Sequence, residues 1–442
     1  MKLIKLSFIL AIAVMAIIGV STTSYAFHAG GVAGCESCHT MHNSLLNGKM
    51  SGTGNTTPGA AGTAAPGSSA MFLLRGVDQS SSCLNCHEGP TLSSYHVSTP
   101  NATIAGAVDK APVNRGPGGD FGWLRAAANT TTNTATSNRR GHNIVAVDFG
   151  YTPDVQNTYA PGGTYLASQL NCISCHNPHN QLRRTSTDGT AAYVKPAIGS
   201  NVYPIVATGS NATVVPTTTT PVGPFRFLRG AGLDQAPKST PAVNFTADPP
   251  VVISPSTYNR SEGASDTHVA YGSGMSAWCA NCHAAFYDSV GDSNIGNSGH
   301  PHPTNKAIGA TMAGIYNAYV GSGNLTNVTG GYSSLVPVEQ GTSDYSVLAS
   351  AATNTALGGT YAAADANAKV MCLSCHRAHA GGFQNMTRFN VAGNTTNAAG
   401  TDFVVASGLS GTTAAQAAYY ERNASVFGGT TKQLCNKCHN KD

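Results

Sequence analysis

The sequence predicts one elongated body of mostly irregular chain, with short α-helices and a few short strands. Three observations support this fold class. The pattern C-x-x-C-H occurs six times and uses all 12 cysteines. Charged residues make up 10% of the chain, well below the roughly 25% of ordinary globular proteins. Glycine is abundant, with 50 residues, so long stretches between the motifs should form loops rather than a conventional apolar core.

The six motifs are typical attachment sites for c-type haem. They are Cys35/Cys38/His39, Cys83/Cys86/His87, Cys172/Cys175/His176, Cys279/Cys282/His283, Cys372/Cys375/His376 and Cys435/Cys438/His439. In each motif the two thiols can bond to the porphyrin vinyl groups, and the adjacent histidine can bind the iron as its proximal ligand. Cysteine pairs at this spacing also serve in zinc sites and redox dithiols. A histidine after all six pairs has a chance probability of about one in a billion, so we predict six covalently attached haem c groups.

The N-terminal residues have the pattern of a signal peptide. Lysines precede an apolar run over residues 6–20, and small residues precede position 27. We therefore expect residues 1–26 to be removed and residues 27–442 to form one hexahaem domain. The apolar run is short for a membrane span and no comparable run follows it, so we expect an exported mature protein without a membrane span.

The charge of the chain does not indicate nucleic acid as a partner. The formal net charge is +4, but six haems would bring twelve propionates and make the mature protein acidic. The sequence also lacks a basic cluster with interleaved aromatic residues. We therefore predict that the protein does not bind nucleic acid.

Few regular elements are predicted between the motifs. Residues 48–69 and 129–138 are typical of surface loops, and residues 201–207 are typical of a strand. Helices are predicted over 362–379, which carries the fifth motif, and over 412–423. Apolar residues at helical spacing predict a further helix, and they are Ile308, Met312, Ile315, Tyr316 and Tyr319. The motifs are unequally spaced, which argues against a regular sequence repeat.

Nine histidines remain after the six proximal ligands are removed. They are His28, His42, His96, His142, His179, His268, His300, His302 and His379. Six irons need a second ligand each, and imidazole nitrogen is the usual one. Methionine is the rival ligand, and Met41, Met275 and Met371 lie near the motifs, but the histidines suffice. The residues alone leave open which six of the nine are used.

Longer segments around the motifs resemble a known family. They include FHAGGVAGCESCHTMHNS, GGDFGWL, GHNIVA, CISCHNPH, MCLSCHRAHAGGF and LCNKCHNKD. In these segments, which span the mature chain, the sequence resembles the OmcS family of outer-surface hexahaem c-type cytochromes. Subunits of that family polymerise into extracellular electron-conducting filaments in metal-reducing bacteria.

The resemblance implies a set of distal ligands. They are His42, His96, His142, His179, His300 and His379, with His28 as an alternative to one of them. His268 and His302 are not expected to be ligands. His42 lies three residues after His39, on the same side of a helical turn, so it must serve another haem or none. The resemblance implies that it binds the fifth haem of a neighbouring subunit, which would build a head-to-tail homopolymer.

Six irons with two histidines each have no open position for a substrate, so we expect electron transfer rather than catalysis. The resemblance implies a location at the cell surface or outside it, after passage through the periplasm. It also implies partners among other outer-membrane or periplasmic cytochromes, and electron acceptors such as metal oxides or partner cells. A soluble periplasmic electron carrier and a multihaem reductase are the alternatives, and a reductase would need an iron with a vacant face.

Overall fold

The computed structural model describes a large part of the chain in separate ranges. They are residues 35–39, 44–45, 48–49, 73–90, 95–100, 112–114, 116–126, 139–179, 182–195, 214–231, 243–254, 269–287, 302–318, 335–353, 364–389 and 431–439. The predicted signal peptide, the strand at 201–207, the loop at 129–138 and the helix at 412–423 lie outside these residues. Of the loop predicted at 48–69, only the first two residues are described.

Regular structure in these ranges is short. The α-helices are Cys35–Cys38, Gln79–His87, Gly122–Ala126, Cys172–Cys175, Met275–Cys279, Gly309–Ala318, Tyr345–Thr353, Cys372–Cys375 and Thr431–His439. Two antiparallel strand pairs are present, Ser44–Leu45 with Gly48–Lys49 and Val252–Ile253 with Ala270–Tyr271. The remaining backbone pairs through turns and isolated bridges. The predicted fold class, mostly irregular with short helices and few strands, is confirmed.

The helix predicted from apolar spacing near residue 312 is also confirmed. It spans Gly309–Ala318. Its inner face buries Ala313 and Tyr316 against Val338 and Ala368. The apolar residues three and four positions apart fall on one face of a helix, which explains why the pattern was a sufficient signal.

The helix predicted over residues 362–379 is wrong, because within the described residues 364–379 only Cys372–Cys375 is helical. Asp365 instead starts a turn, in which its side chain accepts from the Asn367 amide at 2.8 Å and its carbonyl accepts from the Ala368 amide at 3.1 Å. Lys369 then pairs through both its amide and its carbonyl with Glu339. An Asp side chain competes with helical hydrogen bonding in this way.

Buried apolar side chains form several small clusters. In one, Tyr345 and Leu348 pack helix Tyr345–Thr353 onto the strand residues Ile253 and Ala270. Four other clusters each pack against a motif cysteine, and these cysteines are Cys438, Cys279, Cys172 and Cys282. The apolar packing therefore serves to position the motifs. No helix within the described ranges has the length and apolar character needed to cross a membrane.

Candidate functional site

In five of the motifs both cysteines lie in one helix, whereas at the fourth the helix Met275–Cys279 ends at the first cysteine and the Cys282 amide donates to the Cys279 carbonyl at 3.1 Å. At the third motif the Ser174 hydroxyl accepts a hydrogen bond from the Asn171 amide at 3.0 Å and braces the start of this turn. Ser374 does the same for Met371 at the fifth motif, also at 3.0 Å. At these two motifs the histidine that follows has extended backbone angles, so its imidazole leaves the helical turn. This geometry presents two thiols and one imidazole on a single short segment.

The motif cysteines differ in how far the protein encloses them. Among those described, Cys86 and Cys435 are exposed, and the others are partly buried. The motif pattern makes Cys86 equivalent to its partner Cys83, but the two differ in the structure. Cys83 lies close to the Cys172 thiol, whereas Cys86 lies in the last turn of helix Gln79–His87, beyond this contact.

The exposed Cys86 can still bind the same macrocycle as Cys83. Residues three apart lie on the same side of a helix, so Cys83 and Cys86 can still approach one macrocycle together. Of these two cysteines, only Cys83 is partly covered by the described protein residues. Attachment of haem through Cys86 therefore stays a prediction that rests on the motif and not on enclosure by the protein.

The proximal imidazoles are oriented by main-chain carbonyls. Four of them donate from Nδ1: His87 to Tyr95 at 2.6 Å, His176 to Arg226 at 2.7 Å, His283 to Pro161 at 2.8 Å and His376 to Asn385 at 2.7 Å. A carbonyl oxygen can only accept, so Nδ1 carries the proton and the lone pair lies on Nε2. A histidine that binds a metal usually makes this second contact, which sets the ring's orientation. These four motif histidines therefore fit the role of axial haem ligands.

At the first, third and fifth sites an arginine on a returning segment supports the motif through hydrogen bonds. This support, the arginine brace, was not predicted from the sequence. In each, a returning segment ends at an arginine whose amide donates to the carbonyl of the second motif cysteine. The pairs are Arg75 with Cys38 at 2.9 Å, Arg229 with Cys175 at 2.9 Å and Arg388 with Cys375 at 2.8 Å. The returning segment also bridges the proximal histidine through the residue before the arginine. The three segments read FLLR, RFLR and NMTR, so an apolar residue two positions before an arginine was the available signal.

Backbone strain marks the same three segments. Leu73 has a φ of 51°, and the pairs Arg226/Phe227 and Asn385/Met386 have φ values between 50° and 58°. Left-handed backbone costs a residue other than glycine about 1 to 3 kcal/mol and persists only where the surroundings enforce it. Here the strained residues aim the Arg226 and Asn385 carbonyls at the proximal imidazoles.

The arginine side chains complete the brace at the third and fifth sites. Arg229 Nε donates to the Ile173 carbonyl at 2.7 Å, and Arg388 Nε donates to the Leu373 carbonyl at 2.6 Å. Both arginines are buried. Burial lowers the pKa of His176 and His376, and these arginine charges lower it further. The neutral imidazole, which is the form that binds iron, is favoured as a result.

The second and fourth sites use different supports. At the second, the Val97 amide donates to the His87 carbonyl at 2.8 Å. At the fourth, Gly163 lies so close to the motif that an added Cβ would be 1.8 Å from the Cys282 carbonyl oxygen. Its neighbour Gly162 has a φ of 69°. The glycine pair thus lets the chain approach closely enough for the Pro161 carbonyl to reach His283.

Four proximal histidines each face a second histidine ring. The centroid distances are 6.1 Å for His39 and His179, 6.1 Å for His176 and His379, 5.9 Å for His283 and His142, and 6.0 Å for His439 and His302. Imidazole nitrogen binds a metal at about 2 Å, so two rings on opposite sides of one iron have centroids about 6 Å apart. The four pairs fit this arrangement.

Two of the distal histidines are deeply buried. Burial lowers the pKa of His142 to about 4 and the pKa of His379 to about 3. His142 Nδ1 donates to the Ala378 carbonyl at 2.6 Å, and the His379 ring stacks on Phe121 at 4.7 Å. Both rings are therefore neutral at neutral pH and held in one orientation.

His96 lies on the proximal side of the second site. It follows Tyr95, whose carbonyl accepts the Nδ1 proton of His87, and its ring packs edge-on against Tyr95 at 4.5 Å. Gly89 leaves room for this ring, because an added Cβ there would be 2.0 Å from His96. The other predicted distal ligands, His42 and His300, and the spare histidines His28 and His268, lie outside the described residues.

Neighbouring sites touch through equivalent contacts. Helix Gln79–His87 packs on Cys172–Cys175, and helix Met275–Cys279 packs on Cys372–Cys375. In the first contact the Cys172 amide donates to Ser80 Oγ at 3.0 Å, and in the second the Cys372 amide donates to Ser276 Oγ at 3.1 Å. Each serine lies three residues before the first cysteine of the preceding motif. The second and third sites, and likewise the fourth and fifth, are therefore direct neighbours.

The contacts between the other neighbouring sites are indicated by thiols of different motifs that lie close together. Burial, together with the nearby Cys282 thiol, raises the pKa of Cys175 to about 12. Burial and the nearby Cys435 thiol likewise raise the pKa of Cys375 to about 11. The third site thus adjoins the fourth, and the fifth adjoins the sixth. Cys38 acts in the same direction on the pKa of Cys83, although the neighbouring Cys172 thiol and burial raise it more. The sites follow one another in space in the order of the chain.

No protein-family model matches the chain. Among curated proteins, it is 44% identical over 457 aligned positions to the C-type cytochrome OmcS of Geobacter sulfurreducens, and the match covers 98% of both chains. Among solved structures, it is similar to the outer membrane cytochrome S filament from Geobacter sulfurreducens, with a TM-score of 0.72 at 42% identity. A cryo-EM structure of the OmcS nanowires gives the same values. Each structural match covers 94% of this chain and 100% of the other.

Proposed function

Because the chain belongs to the OmcS family of c-type cytochromes, we propose that it conducts electrons along six covalently attached haems in subunits that assemble into extracellular filaments. The observation that carries this proposal is the set of imidazole pairs with centroids 5.9 to 6.1 Å apart. Both faces of an iron held this way are occupied, so electrons can pass but a substrate cannot bind. When bound, each haem supplies one-electron oxidation and reduction.

The chain's own residues hold and orient these groups. Two thiols of each motif bind the macrocycle covalently, and the motif histidine binds the iron. The carbonyls that accept from Nδ1 keep the four best-described proximal rings in one tautomer and one orientation. Rigid ligands limit the reorganisation that accompanies a change of iron charge, which favours rapid electron transfer.

Three distal ligands are supported by the ring pairs. His179 serves the first haem beside His39, His379 serves the third, and His142 serves the fourth. All three belong to the set that the family resemblance implied. In the two buried ones, the lowered pKa favours the neutral ring that binds iron.

At the second haem, the geometry favours His28 over His96. The Tyr95 carbonyl lies behind His87, on the side away from the iron, and His96 is the next residue. A side chain there would have to pass round the macrocycle to reach the far face. We therefore propose His28, the alternative that the resemblance provided, as the distal ligand of the second haem.

The fifth haem receives its distal ligand from another subunit. His142 and His379 pair with other motif histidines, and His42 cannot serve the haem of its own motif. Because the family resemblance implies it, we assign His42 of a neighbouring subunit to the iron at His376. Such a contact joins two different surfaces, does not need to close, and extends into an open filament.

This proposal includes the remaining features of the mature protein. Residues 1–26 direct export, and residues 27–442 act as one hexahaem body at the cell surface. Partner cytochromes deliver electrons, and extracellular acceptors such as metal oxides receive them. A soluble periplasmic carrier would use the same haem chain without the junction at His42, so this junction separates the two functions.

The test uses holoprotein expressed with its signal peptide in a host that matures c-type cytochromes. Pyridine haemochrome analysis should give six haems per chain, and spectroscopy should show all six in the low-spin state. Electron microscopy should show filaments for the parent and short or monomeric particles for His42→Ala, with one haem in six changed to high spin. Filaments of undiminished length with six low-spin haems in that variant would exclude ligation between subunits. A high-spin haem in the intact parent filament would instead support a reductase.

A further inference from the structure

The sixth haem site contains a histidine pair that the family resemblance does not provide. The rings of His302 and His439 have centroids 6.0 Å apart and an interplanar angle of 58°. This distance lies within the 5.9 to 6.1 Å of the other three pairs, in which the partner is an expected distal ligand. The resemblance implied a distal ligand at His300, two residues earlier in the segment HPHP, without assigning it to a particular haem.

His302 and His439 are both exposed. The segments that carry them must therefore determine the distance between the two rings. On one side, Thr431–His439 packs against Gly309–Ala318. Lys437 Nζ donates to the Tyr316 carbonyl at 2.7 Å and lies 4.5 Å from the centre of the Tyr316 ring. Cys438 packs into the same apolar cluster. The motif histidine is therefore held relative to the helix that begins seven residues after His302.

The segment that leads from His302 to this helix is also anchored. The Ile308 amide donates to the Ala368 carbonyl at 2.9 Å, and the Gly309 amide donates to the Ala366 carbonyl at 3.0 Å. Pro303 follows His302 directly and restricts its backbone to an extended conformation. His302 is thus placed by a short segment that is hydrogen-bonded at its C-terminal end to residues 366–368, just before the fifth motif.

We propose that His302, and not His300, is the distal ligand of the sixth haem. One iron face accepts one nitrogen, so the two histidines cannot both bind. The His302 ring already lies at the ligand distance from the ring of His439, so the described geometry assigns this face to His302. This inference rests on the proposed function for the presence of the haem, but concerns which residue binds it.

Two matched alanine variants test the assignment in the holoprotein. His302→Ala should convert one haem in six from low to high spin, measured by electron paramagnetic resonance and near-infrared magnetic circular dichroism. His300→Ala, the control two residues away, should keep six low-spin haems. The opposite result, or six low-spin haems in His302→Ala, would overturn the assignment. Pyridine haemochrome analysis of both variants confirms that six haems remain attached.

A third variant keeps the proposal testable if His302→Ala does not accumulate. His302→Met should remain low-spin, acquire the sulfur-to-iron charge-transfer absorption of His/Met ligation, and raise the reduction potential of one haem. His300→Met should show neither change. Absence of the new absorption in His302→Met would count against the assignment. The proposed function is judged separately on the parent, by its six low-spin haems and its filaments, whichever histidine binds the sixth iron.

Discussion

The main-chain amide of His142 donates a hydrogen bond to the carbonyl oxygen of His379 at 2.8 Å. The ring of His142 also donates to Ala378, which lies 236 positions away in the chain. His142 faces His283, and His379 faces His176. One backbone contact between remote segments therefore holds two histidines that each face the histidine of a different motif.

The first prediction concerns this pair of histidines. His142→Ala and His379→Ala should each convert one haem in six to high spin, because each imidazole serves a different iron. The double variant should convert two. Electron paramagnetic resonance of the purified holoproteins measures the fraction. If the double variant changed only one haem, the two histidines would share a site and the assignment to the third and fourth irons would be wrong.

A second prediction separates the two candidate ligands of the second haem. His28→Ala should produce one high-spin haem, whereas His96→Ala should not alter the second haem, because Tyr95 places His96 on the proximal side. The same spectroscopic measurement applies, with signals assigned to the second haem by NMR of the methyl resonances. Loss of low-spin character at that haem in His96→Ala alone would reverse the choice.

The third prediction tests the arginine brace at the fifth site. Arg388 is 1% exposed and its Nε donates to the Leu373 carbonyl, so Arg388→Ala should leave a buried acceptor without its partner. We expect a loss of about 2 to 4 kcal/mol in the free energy of unfolding. Guanidinium unfolding followed in the Soret band measures it.

The matched control for the brace is Arg139→Ala, since Arg139 is exposed and its Nε donates to Gln156 at 3.4 Å. This substitution should change the free energy of unfolding by less than about 0.5 kcal/mol. Arg388→Ala should also lower the reduction potential of the fifth haem, because a buried positive charge near an iron favours its reduced state. Equal effects of the two substitutions would show that the brace does not stabilise the site.

A fourth prediction compares two glycines. Gly163→Ala should destabilise the protein and disturb the fourth haem, because the new Cβ would meet the Cys282 carbonyl at 1.8 Å and force the backbone apart. Gly314→Ala is the control, with no atom within 4 Å of its Cβ in helix Gly309–Ala318. It should stabilise that helix by up to about 1 kcal/mol. Thermal unfolding of both holoproteins would reveal the opposite signs, and matching shifts would contradict the prediction.

The fifth prediction is a pH dependence that arises from Glu339. Burial raises the pKa of this carboxyl group to about 7, against the lowering effect of the Gly274 amide and Lys369. Between its ordinary pKa, near 4.5, and about 7, the folded protein retains a proton that the unfolded chain has released. The contribution to stability is therefore present below pH 4.5 and is lost as pH rises through 7, by at most about 3 kcal/mol.

Glu339→Gln should abolish this dependence, because the amide is neutral throughout, and its one oxygen, placed where Glu339 Oε2 lies, can still accept from the Gly274 and Met275 amides. Guanidinium midpoints at pH 5 and pH 8 provide the comparison. The parent should lose more stability between these values than the variant does. Identical losses in both proteins would assign the pH dependence to other groups.

Properties that depend on local chemistry could be predicted from the residues alone. The spacing of each C-x-x-C-H motif predicts haem attachment, because the two thiols and the histidine lie within one helical turn. The apolar period around Tyr316 was sufficient to predict helix Gly309–Ala318. Scarce charge and abundant glycine predicted the irregular fold, and the segments around the motifs identified the family that the comparisons confirmed.

The surroundings of each motif depend on the path of the whole chain. Nothing local to His142 indicates that it faces His283, because the two residues meet only when remote segments pair. The exposure of Cys86 could not be predicted either, because the six motifs are alike in sequence and differ only in what packs against them. The carbonyls that orient the proximal rings belong to loops, and every residue has a carbonyl, so no side-chain signal identified Arg226 or Asn385.

The helix predicted over 362–379 shows the same limit. The segment before Cys372 is not helical because Asp365 forms a turn with Asn367, and because Lys369 then pairs with the remote residue Glu339. Apolar spacing and the lack of helix breakers describe only what a segment can form by itself. Hydrogen bonds to distant segments decide what it forms in the folded protein, and local residue patterns do not encode those partners.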